Sequence, residues 1–172
     1  MDYYHANECN YIVGKPYPAV QAGGRNPVYA CEMLSNIGDI VSEMSDVVRY
    51  FYISVVARYE FSSIAACFHH ISIVEMHHLD IFAELAFQLG ADPRLWSCGT
   101  CNRYWSPSFI GYPKEILSLI AESIEAEKAA ICKYGRQAGI IRDTNIVANL
   151  NRIILDEERH LQIFTDMYRQ LS

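Results

Sequence analysis

Apolar residues recur at steps of three and four along four stretches of the chain, which is the spacing of one face of an α-helix. In chain order, the first stretch places Met33, Ile40, Glu43, Val47 and Tyr50 on one face, and the second places Phe61, Ile64, Phe68, Ile71, Glu75, His78, Phe82, Leu85 and Leu89. The third places Leu117, Ile120, Ile124, Glu127, Ile131 and Tyr134, and the fourth Ile146, Leu150, Ile153, Glu157, His160, Phe164, Met167 and Leu171. The pattern predicts four helices with polar residues inside their apolar stripes.

Adjacent histidines in the second stretch fall on different faces of the predicted helix. His78 lies on the apolar stripe one turn after Glu75, so these two residues are expected to work together. His77 shares a line with His70 and Glu84 at steps of seven, and we expect that line to be solvated. His5 and His69 are expected to be surface or packing residues. Asp156 and Glu158, the acidic neighbours of Glu157, fall off the fourth stripe.

Proline, glycine and capping residues divide the chain into an arm and a helical domain. Residues 1–26 read as an extended N-terminal arm that could pack on a neighbouring subunit, and residues 27–172 read as the bundle. The helices are predicted at about 27–57, 61–89, 113–138 and 144–171, with an aromatic-rich crossover at 91–112. The predicted fold is therefore all-α, a four-helix bundle of two antiparallel hairpins joined by a long crossover.

Carboxylates on core-facing stripes need a partner, because burying an unpaired charge is costly. One glutamate from each of two helices, with Glu-x-x-His from each of the other two, is an arrangement that holds a pair of metal ions in a bundle. The six candidate ligands are Glu43, Glu75, His78, Glu127, Glu157 and His160. The glutamates of each hairpin are centred on residues 59 and 142, (43 + 75)/2 and (127 + 157)/2, which coincide with the predicted turns. All four glutamates should therefore lie at matching heights in mid-bundle.

The composition of the chain limits which partners and which cellular location are expected. The chain of 172 residues is 51% hydrophobic and 20% charged with a net charge of -6, which favours a globular domain and argues against nucleic acid as a partner. The sequence contains no run of 18 apolar residues that would suggest a membrane span, and no signal peptide is recognisable. A cytoplasmic location is therefore the default expectation. The six cysteines do not suggest a disulfide scaffold in a chain of this size.

At these residues the chain resembles the ferritin-like superfamily, and within it the rubrerythrin-like proteins of anaerobic bacteria. The resemblance covers roughly residues 27–172 and rests on SEMSDVVRYFY (42–52), VEMHHLDIFAEL (74–85), EAEKAAICKY (125–134) and DEERHLQIF (156–164). It implies a bridged di-iron site held by the six candidate ligands, with Glu75 and Glu157 as bridging carboxylates. It also matches Tyr50 to a family tyrosine near the metals, although a core aromatic is an equal reading.

Two departures from the family limit what the resemblance implies. Rubrerythrins carry an extra glutamate one turn before the third-helix ligand, which takes part in redox-linked ligand exchange, and here that position is Ile124. They also carry a rubredoxin-type domain with two CxxC pairs, whereas this sequence has only Cys98-Gly-Thr-Cys101 in the crossover. That half-site could bridge a dimer, form a reversible disulfide or have no function.

Three functions stay open on the sequence. The first is an oxidoreductase acting on hydrogen peroxide or O₂, either reducing peroxide with an external electron donor or disproportionating it as a catalase does. The second is oxidation or binding of ferrous iron, and the third is a metal-stabilised bundle without enzymatic activity. We expect the enzyme, with two iron ions or alternatively two manganese ions, in a homo-oligomer for which a dimer is favoured.

Overall fold

The computed structural model describes residues 10–98 and 102–172. The chain forms five α-helices in these residues, with a minimal antiparallel strand pair and a short 3₁₀ turn in the crossover. The elements are α1 Pro27–Gly38, α2 Glu43–Val56, α3 Ser62–Gln88, β1 Trp96–Ser97, β2 Arg103–Tyr104, the 3₁₀ turn Pro107–Phe109, α4 Ile116–Ile140 and α5 Thr144–Leu171. The predicted all-α bundle is confirmed: α2 and α3 form one antiparallel hairpin, and α4 and α5 form the other.

Capping side chains start two of the helices where the sequence predicts. The Asn26 side chain accepts hydrogen bonds from the amides of Val28 and Tyr29, both at 3.1 Å, directly before Pro27 at the first helical position. At the start of α5, the Asp143 carboxylate accepts from the two amides that follow Thr144. Side chains that satisfy free amides at a helix start therefore fix these boundaries.

The first predicted helix, 27–57, is wrong as a single element, because the chain breaks into α1 and α2 at residues 39–42. Ser42 caps α2, with its hydroxyl 3.4 Å from the amide of Ser45. The backbone of Trp96 passes so close to Gly38 that any Cβ there would collide with it. Ile40, predicted on the core stripe, is 48% exposed within this break. The break places Glu43 at the first position of α2.

Two apolar clusters lie at opposite ends of the bundle, with the polar layer between them. One cluster includes Met33, Leu85 and Leu150 and joins α1 to the nearer ends of α3, α4 and α5. The other is centred on Phe68 and Phe164, whose rings stack at 4.7 Å. All of these side chains are at most 2% exposed, so the polar residues between them are held in a dry, tightly packed interior.

The described part of the N-terminal arm, residues 10–26, lies on helices of its own chain. The amide of Ala22 donates to the Gln88 side chain on α3 at 2.8 Å, and the Asn149 side chain on α5 donates to the carbonyl of Ala19 at 3.0 Å. The arm thus follows the groove between α3 and α5 of its own chain. Among the described residues, no helix has the length and apolarity that crossing a membrane requires.

Aromatic residues fasten the crossover to the bundle. Trp96 and Tyr104 are opposite one another in the strand pair, with their rings 5.9 Å apart. The indole of Trp105 donates to the Ser45 hydroxyl on α2 at 3.0 Å. The crossover is therefore attached near the start of α2, where Glu43 enters the bundle.

Candidate metal centre

The structure brings all six predicted ligand residues together in the middle of the bundle. Glu43 comes from α2, the Glu75/His78 pair from α3, Glu127 from α4 and the Glu157/His160 pair from α5, and none is more than 2% exposed. They form two groups, each with four ligand atoms within 4.8 Å of one another. The first group is Glu43, Glu75, His78 and Glu157, and the second is Glu75, Glu127, Glu157 and His160. Two side chains thus belong to both groups.

The shared glutamates, Glu75 and Glu157, each reach both histidines. The Nδ1 atom of His78 lies 2.9 Å from Glu75 Oε2 and 3.0 Å from Glu157 Oε1. The Nδ1 atom of His160 lies 2.9 Å from Glu75 Oε1 and 3.3 Å from Glu157 Oε2. One oxygen of each carboxylate therefore faces each histidine, which is the geometry a carboxylate needs to bridge two ions.

The two unshared glutamates each lie at one end of the centre and are each held by a tyrosine. Tyr50 on α2 donates its hydroxyl hydrogen to Glu127 Oε1 at 2.6 Å, and Tyr134 on α4 donates to Glu43 Oε1 at 2.6 Å. Each tyrosine stands seven residues after the glutamate of its own helix and contacts the glutamate of the other helix. The sequence reasoning singled out Tyr50 and missed Tyr134, although the repeated spacing of seven could have revealed it.

The charge of the site follows from burial and mutual contact. Burial raises the pKa of Glu43 well above its usual value, and burial together with the charge of Glu157 does the same to Glu127. Burial alone would lower the pKa of His160, but the carboxylates of Glu75 and Glu157 outweigh it and raise that pKa to about 10. Without an ion, therefore, these side chains retain protons that a metal would displace.

The donor set fits a pair of divalent cations. When all four glutamates are ionised they carry a charge of 4 × (−1) = −4, which two divalent ions, 2 × (+2) = +4, would balance. The buried Oε1 atoms of Glu75 and Glu157 receive no hydrogen bond, although a histidine Nδ1 lies within 3.0 Å of each. Each of these lone pairs faces one of the two histidines, Glu157 Oε1 toward His78 and Glu75 Oε1 toward His160, as ligand atoms at two neighbouring ion positions do. Carboxylate and imidazole donors together suit iron or manganese.

The outer ring nitrogen of each histidine faces the N-terminal arm. His160 Nε2 lies 2.9 Å from the carbonyl oxygen of Tyr11, while His78 Nε2 lies 3.3 Å from Asp156 Oδ2 and 3.2 Å from the Tyr17 hydroxyl. Asp156, which falls off the core stripe, is fully buried because the arm covers it. The sequence reasoning missed Asp156 and Tyr17, since helical periodicity carries no signal for burial by a non-helical arm.

Several other predicted residues lie outside the centre. His77, His70 and His69 are exposed, as is Glu158, while His5 and Cys101 fall outside the described residues. Ile124 is half-buried one turn before Glu127. The thiol of Cys98 contacts Cys31 on α1, and burial together with this contact raises its pKa to about 11. At neutral pH Cys98 is therefore held as a thiol.

The fold and the site together define a di-metal carboxylate protein built on a ferritin-like four-helix bundle. The Rubrerythrin family model matches residues 39–168, and the chain belongs to the rubrerythrin family. No curated protein sequence matches the chain.

Solved structures of other proteins resemble the fold, and two of them are informative. The manganese catalase KatB from Anabaena superposes with a TM-score of 0.82 at 20% identity, over 95% of this chain and 81% of that one. A bacterioferritin from Desulfovibrio desulfuricans, described with a diiron site, superposes with a TM-score of 0.70 at 20% identity, over 84% of this chain and 80% of that one. At this identity the likeness concerns the fold.

Proposed function

We propose that this protein is an oxidoreductase that uses two iron ions, or alternatively two manganese ions, to act on hydrogen peroxide or O₂. The observation that carries the proposal is that Glu75 and Glu157 each face both histidines, so two ions would be held side by side. A bound pair of iron or manganese ions can exchange two electrons with a small oxidant. The manganese catalase fold of Anabaena KatB supports peroxide as the oxidant to test first.

The six side chains have distinct roles in this proposal. Glu75 and Glu157 would be the bridging carboxylates, and His78 and His160 would each supply Nδ1 to one position. Glu43 completes the His78 position, and Glu127 completes the His160 position. The two positions therefore receive the same set of ligands, one terminal carboxylate and one imidazole with two shared carboxylates.

Tyr50 and Tyr134 hold the terminal carboxylates in place. Burial and a neighbouring glutamate raise the pKa of both hydroxyls well above the usual value, so each remains a neutral donor at physiological pH. Each hydroxyl donates to Oε1 of one terminal glutamate. At Glu43 the other oxygen, Oε2, lies 3.7 Å from His78 Nδ1, whereas at Glu127 it is Oε1 itself that lies 3.7 Å from His160 Nδ1.

The residue at position 124 bears on the type of reaction. In rubrerythrins the glutamate at this place takes part in ligand exchange during peroxide reduction, and isoleucine has no ligand atom. A site of six ligands without that exchange favours catalase-like disproportionation, 2 H₂O₂ → 2 H₂O + O₂, which needs no external reductant. Reduction with a donor, H₂O₂ + 2 H⁺ + 2 e⁻ → 2 H₂O, is the competing form of the proposal.

An oxygen electrode separates these reactions. Protein loaded with iron or with manganese is mixed with peroxide, and both peroxide loss and O₂ release are followed. One O₂ for every two peroxides consumed supports disproportionation, whereas peroxide loss only with an added donor and without O₂ supports reduction. Consumption of O₂ with ferrous iron, but no peroxide turnover, would replace the proposal with iron oxidation. No turnover of either kind in metal-loaded protein would leave the bundle as a structural metalloprotein.

His78→Gln and His77→Gln make a matched pair for this assay. The two histidines are neighbours on α3, but His78 is buried in the centre and His77 is exposed. Peroxide or O₂ turnover should fall at least about 100-fold in His78→Gln and less than about threefold in His77→Gln. Equal loss in both variants would mean that turnover does not depend on the proposed centre.

A further inference from the structure

Residues 10–17 of the arm form a strap across the two helices that carry the Glu-x-x-His motifs. Arg152 on α5 donates from Nε to the carbonyl of Lys15 at 2.7 Å and from Nη2 to the carbonyl of Val13 at 2.8 Å. Arg159, two turns further along α5, donates to the carbonyl of Asn10 at 2.9 Å. These bonds fix the backbone of the strap along α5.

Aromatic side chains attach the strap to both helices. The ring of Tyr11 stacks on exposed His70 of α3, with centroids 5.0 Å apart. The ring of Tyr17 lies 4.1 Å from the Arg152 guanidinium of α5 and meets His77 of α3 edge-on at 4.6 Å. The strap therefore spans the groove above the histidine side of the candidate centre.

The strap supplies the hydrogen-bond acceptor for one buried imidazole and holds in place the acceptor for the other. His160 Nε2 is 2.9 Å from the Tyr11 carbonyl oxygen, which can only accept, so the nitrogen must carry the hydrogen of that bond. His78 Nε2 is 3.3 Å from Asp156 Oδ2, and Asp156 is itself held by the Val13 amide at 2.7 Å and by the Tyr17 hydroxyl. Each imidazole thus has a partner that favours a hydrogen on Nε2.

A hydrogen on Nε2 has a direct consequence on the other side of the ring. In a neutral imidazole it leaves the lone pair on Nδ1, and in both histidines Nδ1 is the atom that faces the glutamates. Partners at the outer nitrogen of a ligating histidine fix its tautomer and ring angle and change metal affinity by about 10–100-fold when removed. The hydrogen-bond partner of Nε2 therefore determines that Nδ1 presents its lone pair to the glutamates.

We propose that the strap is the positioning element for both histidines, and that Tyr17 and Asp156 position His78. This inference rests on the proposed metal centre and adds to it a role for the arm, which lies outside the helices, and for Asp156 on α5. It also makes the two metal positions unequal. Asp156 is an anionic acceptor buried beside Arg152 at 2.7 Å, whereas His160 has a neutral carbonyl. Because an anionic hydrogen-bond partner makes an imidazole a more basic metal ligand, the His78 position should hold its ion more tightly.

Tyr17→Phe is the sharpest variant for a test. It removes the hydroxyl that holds Asp156 and keeps the ring against Arg152 and His77, so the strap stays in place. Tyr29→Phe is the matched control, because its hydroxyl accepts one hydrogen bond from the amide of Arg142, at the far end of the bundle from the centre. Asp156→Ala removes the acceptor itself. Asp156→Asn replaces the carboxylate with a neutral amide, whose carbonyl oxygen resembles the acceptor facing His160.

The measurement is the release of cobalt(II) from the intact, cobalt-loaded chain to a chelator, followed together with the cobalt absorption bands. Wild type should release two ions in two phases, the slower from the His78 position. Tyr17→Phe should speed the slow phase about 10-fold and shift the bands of that ion, while Tyr29→Phe changes neither. Asp156→Ala should have a larger effect, and Asp156→Asn should bring the two phases closer together.

The outcomes separate the inference from the proposed function. If wild type binds no cobalt, the metal centre fails and the inference falls with it. If wild type binds two ions but Tyr17→Phe releases them at the wild-type rates with unchanged bands, the positioning role is overturned while the centre stands. Lower thermal stability in Tyr17→Phe with unchanged release would make the strap a purely structural cover, and that result also overturns it.

Discussion

The two hairpins of the bundle carry the same inner residues and different outer ones. In each hairpin a glutamate is followed seven residues later by a tyrosine, Glu43 with Tyr50 on α2 and Glu127 with Tyr134 on α4. In each, the second helix supplies a Glu-x-x-His. The inner polar set is thus duplicated about an approximate twofold axis that passes between Glu75 and Glu157, which explains why each tyrosine can hold the opposite glutamate.

Outside the inner set the symmetry ends. The residue before the shared glutamate is Asp156 on α5 but Val74 on α3, and the residue five before it is Arg152 on α5 but His70 on α3. Asp156 and Arg152 form a buried ion pair, whereas His70 is exposed and Val74 is half-buried. The difference teaches that two metal ions would lie in a symmetric inner site, while the arm and α5 make the surroundings of the two metal positions unequal.

The largest expected effect concerns the duplicated inner set as a whole. Removing metal with a chelator should lower the free energy of unfolding by about 4 kcal/mol for each ion, at a free metal concentration a thousand times its Kd. Without ions, four carboxylates remain crowded in the dry interior. Chemical denaturation of metal-loaded and metal-free protein measures this change. Equal stability of the two forms would contradict a role for the glutamates as ligands.

The next expected effect tests whether the halves are equivalent as ligand sets. His78→Gln and His160→Gln should each reduce the metal content from about two ions per chain to about one, because each imidazole serves one position. Elemental analysis after gel filtration gives the content, with His77→Gln as the control that should keep two. Loss of both ions in either variant would show that the positions fill only together.

A smaller effect should distinguish the tyrosines from ordinary core aromatics. Tyr50→Phe and Tyr134→Phe each remove one hydrogen bond from a buried carboxyl group and should cost about 1.5 kcal/mol of stability. Because the two contacts are equivalent by symmetry, the two costs should agree within about 0.5 kcal/mol. Urea denaturation of the metal-free variants measures both. A cost in only one variant would break the symmetry of the inner set.

The smallest expected effect is a dependence of metal-free stability on pH. Since the pKa of His160 is raised from its usual 6.5 to about 10, its stabilising contribution is complete below 6.5 and is lost as pH rises through 10. The raised pKa values of Glu43 and Glu127 act in the same direction. The pKa of Lys133, lowered by burial to about 8, acts in the opposite direction only above that pH.

Between pH 6.5 and 8 the metal-free protein should therefore lose about 1 kcal/mol of stability per pH unit from His160 alone, and the raised pKa values of Glu43 and Glu127 add to that loss. Metal-loaded protein should change much less, because ions replace the protons. Unfolding curves at three pH values in this window check both statements. Metal-free stability that rises with pH would contradict the sign derived from the histidine and glutamate pKa values.

The helices and the six inner residues could be predicted because, in a helical bundle, the residues that recur at steps of three and four on the apolar face are the residues that become buried. Glu75 and His78 lie on a stripe whose apolar members are buried, so the sequence pattern alone places them inside. The break at 39–42 could not be read this way. It depends on the close approach of Trp96 to Gly38, a contact between residues 58 positions apart.

The outer residues escaped prediction for a related reason. Asp156 lies on the flank of its helix, and it is buried by Val13 and Tyr17 of a segment with no periodicity of its own. Only the path of the arm decides that burial, and the arm could equally have packed on a neighbouring subunit. Tyr134 differs from these, because its spacing from Glu127 repeats the spacing of Tyr50 from Glu43 and was readable in the sequence.

The most direct test of the central claim is the metal content of the protein purified without added metal. Elemental analysis should compare wild type, the Glu75→Ala/Glu157→Ala double variant, and Glu158→Gln, whose target is the exposed neighbour of Glu157. We expect about two iron or manganese ions per chain in wild type and in Glu158→Gln, and none in the double variant. Metal-free wild type that neither takes up iron or manganese nor changes stability with the double substitution would contradict a di-metal centre.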